Sequence, residues 1–107
     1  MPLYEQRTYD VQVGQMATCV ALYKDEGFPA LAAGGFDEHL VGYFISDTGP
    51  LHQLIHIWRF DDDADRRDFW ARVFADETFM AFAGKLRPNL VRQEIQLMQP
   101  APWGPNP

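Results

Sequence analysis

One cysteine, few basic residues and no long apolar run mark this 107-residue sequence, and each scarcity closes off a class of protein. A single thiol, Cys19, cannot form an internal disulfide. Nine Lys and Arg stand against fifteen Asp and Glu, for a net charge of −6. The basic residues form no cluster able to neutralise a phosphate backbone, so nucleic acid is not an expected partner. Anionic membrane surfaces are disfavoured for the same reason. No apolar stretch approaches the ~20 residues of a membrane helix, so no membrane insertion is expected. The N-terminal MPLYEQRTYD has no basic segment followed by an apolar one. With no secretory signal read there, cytoplasmic residence is the expectation. Gly14 and Gly34-Gly35 read as isolated turn and cap glycines, so no phosphate-cradling loop exists. Asp61–Asp63 and Asp65 lack the Gly-spaced loop of a calcium motif and suit a helix cap better.

What remains is a chain that can build a core. Hydrophobic residues make up 47% and charged residues 22%, within the range of a single folded domain. The stretch Leu40–Asp65 is the most informative. Two apolar runs flank Asp47-Thr48-Gly49-Pro50, where Gly supplies positive φ and Pro fixes φ, so a β-hairpin is predicted. On its second arm His52, Leu54, His56, Trp58 and Phe60 share one face and Leu51, Ile55 and Ile57 the other, because strand side chains alternate. An aromatic face carrying imidazoles suggests a lined cavity. The hairpin register stays open by one residue, so either Tyr43 or Gly42 and Phe44 face that cavity.

The element order follows from periodicity. Leu3–Val13 reads as a strand. Met16, Cys19, Val20 and Tyr23 form a helical stripe that Gly27-Phe28-Pro29 should interrupt, with Gly34-Gly35 ending the segment. Glu38–Asp47 and Leu51–Phe60 are the hairpin strands. Asp61–Asp63 caps a helix carrying Arg66, Phe69, Trp70, Val73 and Phe74, and Asp76 caps a shorter one ending before Pro88. Asn89–Met98 is the last strand. The result is an α+β chain with split βαββαβ order, an antiparallel four-stranded sheet with central first and third strands, and helices on one face. Residues 1–99 form the domain and 100–107 a proline-rich extended tail.

If the helices cover Ile55, Ile57, Ile95 and Leu97, the opposite face presents Leu54, Trp58, Tyr9 and Met98. That is more apolar surface than a monomer leaves wet. A second copy closing over this open sheet face would enclose a pocket between two sheets.

Several side chains could serve such a pocket. His56 titrates near neutrality and can move a proton, or it can be a core histidine bonded to a carbonyl and a neighbour. His52 and His56 lie roughly 13 Å apart along a strand at ~3.3 Å per residue, too far to share one metal ion, and no metal is expected. His39, near a strand start, is expected in solvent. Glu5, Arg7 and Tyr9 share a face of the first strand, with Arg92, Glu94 and Gln96 expected beside them. Arg7 is an anion clamp and Glu94 or Glu5 a proton acceptor, or else Arg7 and a Glu form a structural pair. Cys19 reads as a packed, inert thiol. Trp103 is a loose end or an arm packed on a partner.

Tyr4–Val11 with Gly14 (YEQRTYDV-x-x-G) and Gly49–Arg66 (GPLHQLIHIWRFDDDADR) together resemble the NIPSNAP family. Leu86–Glu94 (LRPNLVRQE) and Pro100–Trp103 (PAPW) extend the resemblance over nearly the whole chain. It implies a ferredoxin-like fold assembled as a dimeric α/β-barrel, in agreement with the element order. It implies no generally accepted reaction, since families on this fold include cofactor-free monooxygenases, isomerases and haem proteins. No cofactor is expected here. Two functions stay open for a homodimer binding a small organic ligand. One is a cofactor-independent, monooxygenase- or isomerase-like enzyme acting on an aromatic or polyketide-like compound. In it Arg7 orients the substrate, His56 or Glu94 moves the proton, and Trp58 and Tyr43 shape a cavity that Glu5, Tyr9 and Leu54 help to line. The other is a non-catalytic binding or interaction module.

Overall fold

A computed structural model describes all residues, 1–107. Strand β1 (Leu3–Val11) is followed by α1 (Met16–Leu22), a π turn (Tyr23–Gly27) and α2 (Phe28–Ala33). Strands β2 (Leu40–Ile45) and β3 (Gln53–Phe60) form the hairpin, and α3 (Asp63–Ala75), α4 (Glu77–Leu86) and β4 (Leu90–Met98) complete the chain. The sheet is antiparallel in the order β2-β3-β1-β4, so the first and third strands are central, and the helices lie on one face. No helix is long and apolar enough to cross a membrane.

Local chemistry explains the boundaries. Asp62 caps α3 by accepting from the Asp65 N–H at 2.8 Å, and Asp76 caps α4 by accepting from the Phe79 N–H at 2.9 Å. Each satisfies a backbone donor that a helix start leaves free. Gly49 takes φ 74° in the hairpin loop, as the turn requires. The hairpin strands are shorter than the expected Glu38–Asp47 and Leu51–Phe60, and β1 stops two residues early. His52 sits just before β3 at φ 61° rather than in the strand.

The expected break at Gly27-Phe28-Pro29 does not occur. The chain stays right-handed helical through Gly27 and Phe28. A π turn widens the helix by one residue, and Pro29 falls in the first turn of α2, where its missing N–H costs no internal bond. Gly27 is required by contact. A Cβ there would lie 2.5 Å from the Phe82 ring, which is itself fully buried.

The packed face is the reverse of the one expected. The helices cover Leu54, His56, Trp58 and Phe60, all buried, while Ile55 and Ile57 look away from them. Burying the aromatic face removes more apolar area per residue than burying the isoleucines, and Phe69, Trp70 and Val73 of α3 interlock with Trp58 and Phe60. A second cluster joins Tyr9, Val11, Cys19, Leu54, Phe82 and Leu86. One cavity lies within the chain, between sheet and helices.

The β1–β4 register differs too. Gln93, Ile95 and Leu97 stand opposite Tyr9, Arg7 and Glu5, whereas Arg92, Glu94 and Gln96 occupy the other face. Ile95 and Leu97 share the helix side of the sheet but lie beyond the helices, about half exposed. After β4 the chain has no regular element, and the Tyr4 hydroxyl donates to the Pro107 carbonyl at 2.7 Å. Trp103 is exposed.

Candidate functional site

Between sheet and helices lies a cavity of about 90 Å³. Its walls include Arg7 and Tyr9 of β1, Tyr43 of β2, His56 and Trp58 of β3, Trp70 and Phe74 of α3, and Tyr23 at the start of the π turn. Alternation brings the strand residues to one side: Arg7 pairs in register with His56, and His56 with Tyr43. This settles the hairpin register, with Tyr43 on the cavity side. Its ring stacks on His56 at 4.6 Å and 14°, while Tyr9 meets His56 edge-on at 4.8 Å.

His56 has one possible protonation state here. The Trp58 indole N–H donates to His56 Nδ1 at 2.6 Å. An indole nitrogen has no acceptor lone pair, so Nδ1 must accept and the proton of the neutral ring sits on Nε2. Burial, and then the charge of Arg7, pushes the imidazole pKa down to about 3, which keeps the ring neutral at physiological pH. His56 therefore offers an Nε2–H donor and no free lone pair. It cannot accept the proton assigned to it from sequence.

Arg7 is held from two sides. Its guanidinium lies over the Trp70 ring at 4.2 Å, and Nη1 donates to Glu5 Oε2 at 3.3 Å. Glu5 is fully buried, and its Oε1 accepts from Arg66 Nη1 at 2.7 Å. Arg66 continues to Asp63 through Nε at 3.1 Å. The buried carboxylate thus has both oxygens occupied by guanidinium groups, as the cost of burying charge demands.

Three buried N–H groups have no protein acceptor: Arg7 Nε, His56 Nε2 and Trp70 Nε1. All three belong to walls of the same cavity. Burial raises the phenol pKa values of Tyr9, Tyr23 and Tyr43, so these hydroxyls stay protonated at neutral pH. Arg87 stands at the rim. The unpartnered N–H groups and the Arg7 charge suit an oxygen that accepts hydrogen bonds or develops negative charge, while the tyrosine hydroxyls can donate or accept.

Arg7, Tyr9, Tyr43, His56 and Trp58 line the cavity together, while Glu5 bonds Arg7 without lining it. Leu54 does not line this cavity but an adjoining apolar groove. Glu94 is exposed on the opposite face of the sheet, paired with Arg92, because the true β1–β4 register is one residue from the expected one. His39 is not free in solvent, since its Nδ1–H donates to the Arg59 carbonyl at 2.9 Å and its ring stacks on Phe60. Cys19 is buried, and burial raises its thiol pKa. No group of three or more His, Cys, Asp or Glu side chains is placed to hold a metal ion. Sequence reading missed the roles of Arg66 and Trp70. Both lie on the α3 stripe, four residues apart, and one helical turn carries them to Glu5 and Arg7.

The family model described as NIPSNAP matches residues 4–105. Among solved structures, a NIPSNAP family protein from Agrobacterium tumefaciens superposes with TM-score 0.91 at 28% identity, covering 98% of each chain. A second NIPSNAP family protein of that bacterium, of unknown function, gives TM-score 0.87 at 34% identity, covering 97% of this chain and 92% of its own. An antibiotic biosynthesis monooxygenase shares the fold, with TM-score 0.64 at 14% identity over 94% of this chain and 99% of its own. No curated protein matches the chain.

Proposed function

The chain belongs to the NIPSNAP family, and we propose that it binds a small organic molecule by an acceptor oxygen, held among the N–H groups of Arg7, His56 and Trp70. One observation carries this reading: three buried N–H groups without protein acceptors belong to residues that wall one cavity. Each such group costs about 1–3 kcal/mol when left unpaired, and an oxygen of the ligand recovers that cost. A carbonyl, enolate or phenolate meets the requirement.

The chemistry available to the cavity is stabilisation of a developing oxyanion, by donors fixed before the reaction begins. Enolisation of a carbonyl compound, the first step of isomerase-like or cofactor-independent oxygenase-like reactions, would draw on it. One feature favours binding without proton transfer by the protein. The lone pair of His56 Nδ1 is taken by Trp58, and both Glu5 oxygens are taken by arginines. The assembly we propose is a homodimer, with the second copy on uncovered surface at the β4 edge that includes Ile95 and Leu97.

Acetylacetone tests the reading, because its enolate has a distinct ultraviolet absorbance. Binding should raise the enolate fraction at neutral pH, and Arg7→Met or His56→Phe should abolish that rise. Absence of binding, or a rise unaltered in both variants, would refute it.

A further inference from the structure

We infer that the apolar groove beside the cavity is the second half of the binding site and receives an aliphatic chain carried by the ligand. This rests on the donor-lined cavity holding the ligand's oxygen. The groove lies between α1 with its π turn and strand β2, and its volume is about 460 Å³, against about 90 Å³ for the cavity. A space of 90 Å³ is smaller than the ~150 Å³ that accepts benzene in an engineered core, so it fits a head group and little more. The groove is in the usual range for small-molecule sites.

Its walls are apolar except for Lys24, and they contain no carboxylate and no unpartnered buried donor. Phe28, Phe44 and Ile45 in these walls are each about half exposed. Such a surface gains from hydrocarbon and has, beyond Lys24 and the two tyrosine hydroxyls, nothing with which to orient a polar ligand.

Two residues join the spaces. Tyr23 and Tyr43 stand in the walls of both, with ring centroids 5.2 Å apart. The partition includes these two half-buried rings. Rotating a side chain is less costly than moving a strand, and a seam between two rings admits a narrow chain more readily than a fused ring system. The ligand class is therefore amphipathic: an acceptor oxygen at one end and a flexible hydrocarbon chain extending toward Val20 and Ile45.

A series of 2,4-diones with five to eleven carbons tests this with a constant head group. In the unaltered protein each added methylene should tighten binding about fourfold, the value of a buried CH₂, until the groove is filled. Val20→Trp fills the groove from α1, and Ile45→Trp does so from the exposed end of β2, where a fold defect is less of a concern. Both should abolish the gain with chain length. Affinity that does not rise with length, or a gain that persists in both variants, overturns the groove while leaving the cavity reading intact. Failure of every dione to bind overturns both.

Discussion

The indole of Trp58 holds His56 by its Nδ1 across 2.6 Å, two residues along the same strand. Side chains at i and i+2 point the same way from a strand, so the pair forms wherever β3 forms. It fixes both the tautomer and the orientation of the imidazole with no loop involved. An aromatic pair that looks like simple core packing in the sequence thereby decides which proton His56 can offer.

The first prediction is a pH dependence. The folded-state pKa of His56, about 3, lies below the ordinary value of 6.5. Above pH 6.5 the ring is neutral in both folded and unfolded chains and costs nothing. Between pH 6.5 and 3 the unfolded chain takes up a proton that the folded one does not, so stability falls as pH falls. The slope contributed by this residue should approach 1.4 kcal/mol per pH unit, about one proton. Urea denaturation across that window in the unaltered protein and in His56→Gln checks it. The variant should lack this part of the slope, and nitrogen NMR should show the proton on Nε2.

The second prediction concerns Glu5. Removing one guanidinium leaves its carboxylate with the other, so Arg7→Met and Arg66→Met should each destabilise by about 1–3 kcal/mol. Together they leave a buried carboxylate alone, and the double variant should lose more than the sum. A double-mutant cycle by chemical denaturation measures the excess. Strict additivity would mean that the arginines do not share this partner.

A third prediction follows from the exposed apolar residues at the β4 edge. Light scattering at micromolar protein should give twice the chain mass of 12.3 kDa, and Ile95→Lys with Leu97→Lys should return the protein to monomer. A folded monomer in the unaltered protein would rule out the homodimer.

The β-α-β-β-α-β order, the central strands and the clustering of Arg7, Tyr9, His56 and Trp58 were legible in the sequence, because period-two alternation places each residue relative to its own strand. Which face the helices take was not. Both faces of β3 are apolar, and only the partner helix decides between them; the aromatic area of Phe69 and Trp70 settles it. The position of Glu94 failed for a related reason. Alternation holds within a strand, but pairing between strands depends on register, and a slip of one residue moves every side chain to the other face. The irregularity after Asp10, where β1 and β4 shift against each other, has no composition signal. The continuous helix through Gly27 was hidden because Pro29 looks like a breaker until the π turn places it in a first turn.

The origins of the three donors have a temporal meaning. Arg7 comes from the first strand, His56 from the third and Trp70 from the helix after it, so no short stretch of chain contains the site. A nascent chain emerging from the ribosome has nothing to offer a ligand until it has grown past Trp70 and folded back on its first ten residues. During refolding, recovery of ligand binding would therefore register closure of the sheet centre together with docking of the helix that carries Trp70.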